Sequence, residues 1–361
     1  MSETVTRADR LAALLSERPV DVLLVTDPVN VRYVTGFTGS SGAALVGEGT
    51  RTFITDFRYR EQAAVQVADF DRRECSAELL DGVVGALGDE RPVRLGFDDA
   101  HTTVAADARL RERLDDGVEL VACGGLVERL RAVKSDDERD RIAAAATLAD
   151  DALASVLERG LIGRTERAVA IELEHEMLLR GARQASFPSI VASAEHGALP
   201  HAEPRDVEIG VDVLVTIDWG AELDGYCSDC TRTVATGDSI GEQERDIYAV
   251  VLEAQHAGLD AVVAGAGGRA IDAVARELIA ARGHGEHFGH GLGHGVGLEV
   301  HERPRLSRLS DDELERGNVV TVEPGIYLPG RCGVRIEDLV VVTDAGREVL
   351  TSLSKELTIV S

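Results

Sequence analysis

Lysine and aromatic rings are scarce in this sequence. Lys134 and Lys355 are its only lysines, the other 36 basic residues being arginines. Aromatics make up 4 %, so a core must be built mainly from Ala, Val, Leu and Ile. Positive charge is short overall, with 38 basic residues against 64 acidic ones and a net charge of −26. Such a chain lacks the surplus of Lys and Arg that displaces counterions from nucleic acid or docks on an anionic membrane. No stretch approaches the roughly 18 apolar residues of a membrane span, and Met1-Ser-Glu-Thr opens no apolar leader. Five cysteines, an odd number spread from Cys75 to Cys332, make no disulfide framework. The expectation is a soluble, cytoplasmic protein with neither nucleic acid nor membrane as partner.

What is present is enough apolar residue, 44 % of 361, to bury a core in one large domain or two ordinary ones. The acidic, Lys-poor, Ala/Gly/Val-rich composition resembles that of salt-loving archaeal proteins, whose carboxylates hold water and cations while salt screens their repulsion. An ordinary acidic protein from a GC-rich genome is the alternative. Leu11, Leu14 and Leu15 sit at helical spacing within 6–18, and 21–25 reads as a buried strand. Apolar runs at 42–46, 51–55 and 93–97 alternate with helical stretches near 58–68 and 102–114, predicting an α/β domain over 1–128. Ser135-Asp-Asp-Glu138 is a capping box that opens a long Ala-rich helix, and Thr165 starts another that stops near Gly181. Strand pairs, two helices near 242–264 and 269–282, and more strand pairs follow, predicting an α+β domain over 129–361. Nine of the ten histidines lie from His175 onward, five of them between 284 and 301.

The chemistry lies in the second domain. Asp218 ends an apolar strand, Asp224-Gly225 signals a hairpin turn, and the returning strand carries Asp229. If that turn is a two-residue loop, paired positions sum to 449, so Asp229 faces Gly220 and Asp218 is its diagonal neighbour on one face. Glu323 and Glu337 sum to 660, which centres a turn on Gly330 and places the two directly opposite each other. Four carboxylates on sheet faces repel unless protonated or neutralised by cations; two divalent ions supply the matching charge. His290, His294 and His301 offer an imidazole, and glycines on alternate positions from 289 to 297 suit a backbone that passes close to a ligand.

These motifs, Ile-Asp218-Trp-Gly, Ser-Asp229-Cys-Thr-Arg-Thr, His290-Gly-Leu-Gly-His294, Thr-Val-Glu323-Pro-Gly and Val-Arg335-Ile-Glu337-Asp, resemble those of the pita-bread metallopeptidases, the M24 family of prolidase, aminopeptidase P and methionine aminopeptidase. Upstream, Tyr33-Val-Thr-Gly-Phe-Thr-Gly-Ser-Ser and Asp56-Phe-Arg-Tyr look like a creatinase-type N-terminal domain, and Leu130-Arg-Ala-Val-Lys-Ser resembles the link between the two. The resemblance implies that Asp218, Asp229, His294, Glu323 and Glu337 hold two divalent metals, with Asp229 and Glu337 bridging. It implies that a metal-bridging hydroxide attacks the scissile carbonyl while Glu323 shuttles the proton. His201 and His301 match positions that steady the substrate and oxyanion, and His290 matches a pocket histidine. Four carboxylates and one imidazole suit Mn²⁺ or Co²⁺, with Zn²⁺ a third option. A homodimer is also implied.

Methionine aminopeptidases generally lack the N-terminal domain, and creatinase lacks the full ligand set. Two features favour a prolidase acting on X-Pro dipeptides over an aminopeptidase P acting on longer peptides. The Glu323–Glu337 spacing is the short form of prokaryotic prolidases. His301-Glu-Arg-Pro-Arg305 resembles those in which an arginine at the Arg305 position receives the substrate carboxylate. Arg335 is the alternative reader, or an orienting group for Glu337. One stretch departs from the family: Ala194 and His196 stand where Gly and Asn are usual, which puts the pocket near the first substrate residue in question. A non-peptidase lyase or amidohydrolase on the same scaffold therefore stays open. Cys227-Ser-Asp-Cys230 reads as structural, because Asp229 lies between the cysteines on an apparent strand and no helix N-terminus activates a thiolate; a redox role is the alternative.

Overall fold

The computed structural model describes residues 5–76, 78–87, 93–115 and 117–361. It divides into an N-terminal unit ending at Arg131 and a C-terminal unit, Ala132–Ser361. The first is built on a six-stranded mixed sheet. Its strands run, in spatial order, Asp71–Cys75, Thr50–Asp56, Gly42–Gly47, Val22–Val25, Val93–Phe97 and Val118–Ala122. The first strand in sequence, Val22–Val25, pairs antiparallel with Gly42–Gly47 on one side and parallel with Val93–Phe97 on the other. The expected helices appear as Arg7–Leu15, Arg60–Gln66 and Val104–Arg113. A helix at Pro28–Thr35 was not anticipated, although its signals are complete: Asp27 caps it, Pro28 occupies the first turn, and Gly36 closes it at φ 80°.

In the C-terminal unit, two layers of helices flank short antiparallel sheets. Helix Asp136–Glu158 opens with the expected capping box at Ser135 and Glu138, and Thr165 caps Glu166–Leu179. These two helices share a core with strands Ile190–Ser193, Leu214–Trp219 and Cys230–Ala235, and Trp219 anchors it by donating to the Ala149 carbonyl at 2.8 Å. Helices Glu242–Ala261 and Gly268–Ala281 make a second core against strands Val319–Val322, Gly325–Leu328, Cys332–Arg335 and Asp338–Thr343. As the composition requires, both cores are mainly Val, Leu, Ile and Ala. Among the described residues no helix is long and apolar enough to cross a membrane.

Both carboxylate-bearing hairpins have the expected register. Leu223 pairs with Tyr226 and, further down, Trp219 pairs with Cys230, so the sum of 449 persists along the ribbon. Asp224 and Gly225 adopt φ 50° and 85°, the left-handed pair of a type I′ turn. In the second hairpin Leu328 pairs with Cys332 and Gly325 with Arg335. Val322 pairs with Asp338 in a neighbouring sheet at the same sum of 660. Glu323 and Glu337 thus sit opposite each other where the ribbon passes from one sheet to the next. Asp229 lies at the corresponding break in the first hairpin. Side chains at such breaks are free to turn toward a common space.

Candidate active site

The four carboxylates and His294 line one cavity of about 530 Å³ in the C-terminal unit. Asp218, Asp229 and Glu337 each offer an oxygen within 4.8 Å of the others. His294 Nε2 lies 3.2 Å from Glu323 Oε1 and 3.6 Å from Asp229 Oδ2. The strand Gly293–Gly295 carries His294, and a Cβ at Gly293 or Gly295 would run into the carbonyl of Thr321 or Arg303. At these two positions the glycines admit neighbouring backbone, rather than a ligand as the alternation had suggested.

Electrostatics make this cluster costly without cations. Burial and the neighbouring carboxylates Glu337 and Asp218 push Asp229 well above the usual carboxylate range. Glu337 is raised in the same way by burial, Glu323 and Asp218. Burial acts on Glu323 too, but the hydrogen bond and charge of His294 outweigh it and bring that carboxyl down to about 2. Asp218 Oδ1 and Glu337 Oε1 are buried with no hydrogen-bond partner. Unsatisfied hard oxygens beside an imidazole are a donor set that fits divalent metal.

Three further histidines face this cavity: His201 from the turn after Pro200, His290, and His301. The His301 ring lies tilted against that of His294, with centroids 4.3 Å apart. His290 is tied on both sides, Nε2 to the Tyr327 hydroxyl at 2.9 Å and Nδ1 to the Gly291 carbonyl at 2.8 Å. Burial lowers its affinity for a proton.

The whole chain can be matched to known proteins. Residues 140–344 fit the model of metallopeptidase family M24, and residues 7–133 fit the creatinase/prolidase N-terminal domain. The chain belongs to family M24. A Bacillus anthracis Xaa-Pro dipeptidase structure is 41 % identical with a TM-score of 0.94, covering 98 % of this chain and 99 % of that one. An X-Pro aminopeptidase structure from Thermotoga maritima is 34 % identical with a TM-score of 0.89, over 98 % and 100 % of the two chains. The Xaa-Pro dipeptidase of Pyrococcus furiosus is 34 % identical over 97 % of this chain and 99 % of its own. The architecture is therefore a creatinase-type N-terminal domain followed by a pita-bread catalytic domain.

Within this M24 site the two arginines differ. Arg335 is buried and fully engaged: Nη2 donates to Asp218 Oδ2 at 2.6 Å, Nη1 to the Tyr327 hydroxyl at 2.9 Å and the Pro200 carbonyl at 3.2 Å, and Nε to Thr231 Oγ1 at 3.0 Å. It orients Asp218, not Glu337 as the sequence had suggested. Glu337 is instead held by Thr231, whose hydroxyl donates to Oε2 at 2.7 Å. Arg305 lines the cavity and is exposed. Its backbone is fixed by Asp312, but its guanidinium has no partner among the described residues. Tyr327 was missed, although a tyrosine in an otherwise apolar strand, from a chain with five, is a readable signal.

One other reading changes, and the structural reading of the cysteine pair stands. His196 does not line the cavity; it is buried beside Glu166, with Nδ1 2.9 Å from Oε2. Cys227 and Cys230 are buried and unpaired. Burial pushes the Cys227 thiol up to about 12 and Cys230 well above its usual value, so neither supplies a thiolate. His284 and His287 lie on a short turn, 5.6 Å apart, outside this cavity.

Proposed function

We propose that the protein hydrolyses the X-Pro bond of dipeptides with two divalent metal ions, Mn²⁺ or Co²⁺ in preference to Zn²⁺. The observation that carries this reading is the convergence of four carboxylates, two with unsatisfied buried oxygens, on the imidazole of His294 beside the unpartnered guanidinium of Arg305. Asp218, Asp229, His294, Glu323 and Glu337 hold the metals. When bound, such ions supply Lewis-acid polarisation of the scissile carbonyl and acidify water. Glu323 relays a proton to the leaving nitrogen. His201 and His301 donate to the substrate carbonyl as charge builds on it. His290, held by Tyr327, shapes the wall of the proline pocket.

Arg305 receives the dipeptide's terminal carboxylate, a pairing that a planar guanidinium makes in bidentate form. Arg335 is committed to Asp218, which leaves Arg305 as the available reader. The dipeptidases of Bacillus anthracis and Pyrococcus furiosus support this substrate. The Thermotoga maritima aminopeptidase favours a second reading, removal of the first residue before proline in longer peptides. The proline nitrogen carries no hydrogen, so recognition must rest on the carbonyl, the ring and the chain ends.

The test is proline release from an X-Pro dipeptide and an X-Pro-Y tripeptide by metal-stripped protein, with and without Mn²⁺, in molar KCl and in low salt. Metal-dependent cleavage of the dipeptide alone is expected. Preference for the tripeptide makes the protein an aminopeptidase, and no cleavage by folded, metal-loaded protein moves a non-peptidase activity to first place. The acidic surplus supports a need for high salt, and five unpaired thiols are in keeping with a reducing, cytoplasmic setting. A homodimer is our reading of the assembly, to be checked by light scattering.

A further inference from the structure

Glu166 has no exposed surface and takes no part in the chemistry above. It occupies the first turn of helix Glu166–Leu179, where a carboxylate gains from the helix dipole. Its Oε1 accepts from the Ser193 backbone N–H and hydroxyl, both at 2.8 Å, and from Arg205 Nη2 at 3.1 Å. Its Oε2 accepts from the Arg205 backbone N–H at 3.0 Å and Nε at 3.1 Å, and lies 2.9 Å from His196 Nδ1. These donors come from both ends of one segment, 193–205. Between them run Pro200, His201, Ala202, Glu203 and Pro204, all of which line the catalytic cavity.

The turn Ala194–Ala198 packs on strand Cys332–Arg335, but residues 199–204 form neither helix nor strand. The segment leaves strand Ile190–Ser193 through Ala194, a non-glycine residue at φ 50°, and turns once through Ala194–Ala198. A left-handed alanine persists only where its surroundings dictate it. The middle has one further tie, from Arg335 Nη1 to the Pro200 carbonyl.

We propose that Glu166 is a positioning residue that sets His201 in the cleft by tying Ser193, His196 and Arg205 to one helix N-terminus. The proposal rests on the reading of the cleft as an X-Pro site. Here His196 serves as one of the three ties, which gives the departure from the family stretch a role away from the substrate.

The experiment pairs Glu166→Gln with His201→Ala in the metal-loaded enzyme, and adds amide hydrogen exchange. The Gln amide turns a donor toward groups that themselves donate. Glu166→Gln is expected to lower kcat by about 10- to 100-fold, the order that small misplacements cost, with KM and metal content unchanged. In the His201→Ala background the same substitution is expected to change kcat less than about twofold, because coupled residues are not additive. Exchange of the Ser193, Leu199 and Arg205 amides, which are hydrogen-bonded in the fold, is expected to rise while helix Glu166–Leu179 stays protected. An equal loss of kcat in both backgrounds, or unchanged exchange at Ser193, Leu199 and Arg205, overturns the proposal. If Glu166→Gln does not fold, Arg205→Leu is expected to lower kcat with the same dependence on His201, and full activity in it counts against the proposal. His196→Asn, which keeps a donor, is expected to stay near wild-type. If the unaltered enzyme cleaves neither substrate, the X-Pro reading falls, and hydrogen exchange alone then decides whether Glu166 anchors the segment.

Discussion

Arg335, buried, and Asp218, partly buried, form an ion pair, Nη2 to Oδ2 at 2.6 Å, that joins the ends of two separate hairpins. The other Asp218 oxygen is left without a partner. The pair thus orients a carboxylate within the cluster it forms with Asp229 and Glu337. Removing Arg335 leaves an uncompensated charge, and partners behind metal ligands typically contribute 10- to 100-fold in affinity. Arg335→Ala is expected to weaken Mn²⁺ binding by about that factor, read by titration calorimetry. Arg335→Lys should recover only part, since one ammonium cannot reach Asp218, Tyr327, Thr231 and Pro200 together.

Metal removal should expose the repulsion among the carboxylates. Asp229 is raised by burial, Glu337 and Asp218, and Glu337 by burial, Glu323 and Asp218, so the folded, metal-free protein binds protons that the unfolded chain does not. Their contribution is present at acid pH and is lost as pH rises through the folded values. Asp229→Asn is therefore expected to raise the Tm of chelator-treated protein more at pH 8 than at pH 5, while abolishing metal-dependent cleavage. Each tenfold change in proton affinity relieved corresponds to about 1.4 kcal/mol. Equal Tm gains at both pH values would show that the folded carboxyl titrates normally.

Glu166 has the opposite sign. Burial pushes it up, but bonds from Arg205 and Ser193 outweigh that and bring it down to about 2. Its stabilisation is present above the ordinary carboxylate pKa and is lost as pH falls toward 2. Acid-unfolding curves of wild-type and Glu166→Gln should differ most at neutral pH and converge near pH 2.

Arg305→Met should discriminate between substrates. Losing a charge-assisted bond to the dipeptide carboxylate costs about 1.5–3 kcal/mol, so KM for an X-Pro dipeptide is expected to rise roughly 10- to 100-fold. For a tripeptide the change should be within threefold, and a parallel rise for both would remove Arg305 from the reader's role.

Cys227 donates to the Leu298 carbonyl and holds a thiol pushed up to about 12. Cys227→Ser keeps a donor of similar size and is expected to leave cleavage within twofold. A larger loss that follows oxidation state would revive the redox reading.

Much of the site could be read directly because antiparallel pairing is arithmetic. Once Asp224-Gly225 and Gly330 mark the turns, the positions of Asp218, Asp229, Glu323 and Glu337 follow from their sums, and the observed pairs keep both. The Pro28–Thr35 helix carries equally readable caps, but eight residues are too few for apolar periodicity to mark it.

The partners of isolated charges were not readable. Arg305 stands in the polar run Glu302-Arg-Pro-Arg305 and Arg335 between Val334 and Ile336, but neither context names a partner: only packing buries Arg335 against Asp218 while Arg305 stays exposed. In the same way His196 looked like a pocket residue by its place in the chain, yet Glu166, 30 residues earlier, claims its ring. Local pattern and turn chemistry determined the strands, the registers and the donor types, because those depend on neighbours along a ribbon. Tertiary structure decided which charges meet, because a hydrogen bond between distant segments exists only once separate elements pack and exclude the water that would otherwise satisfy them.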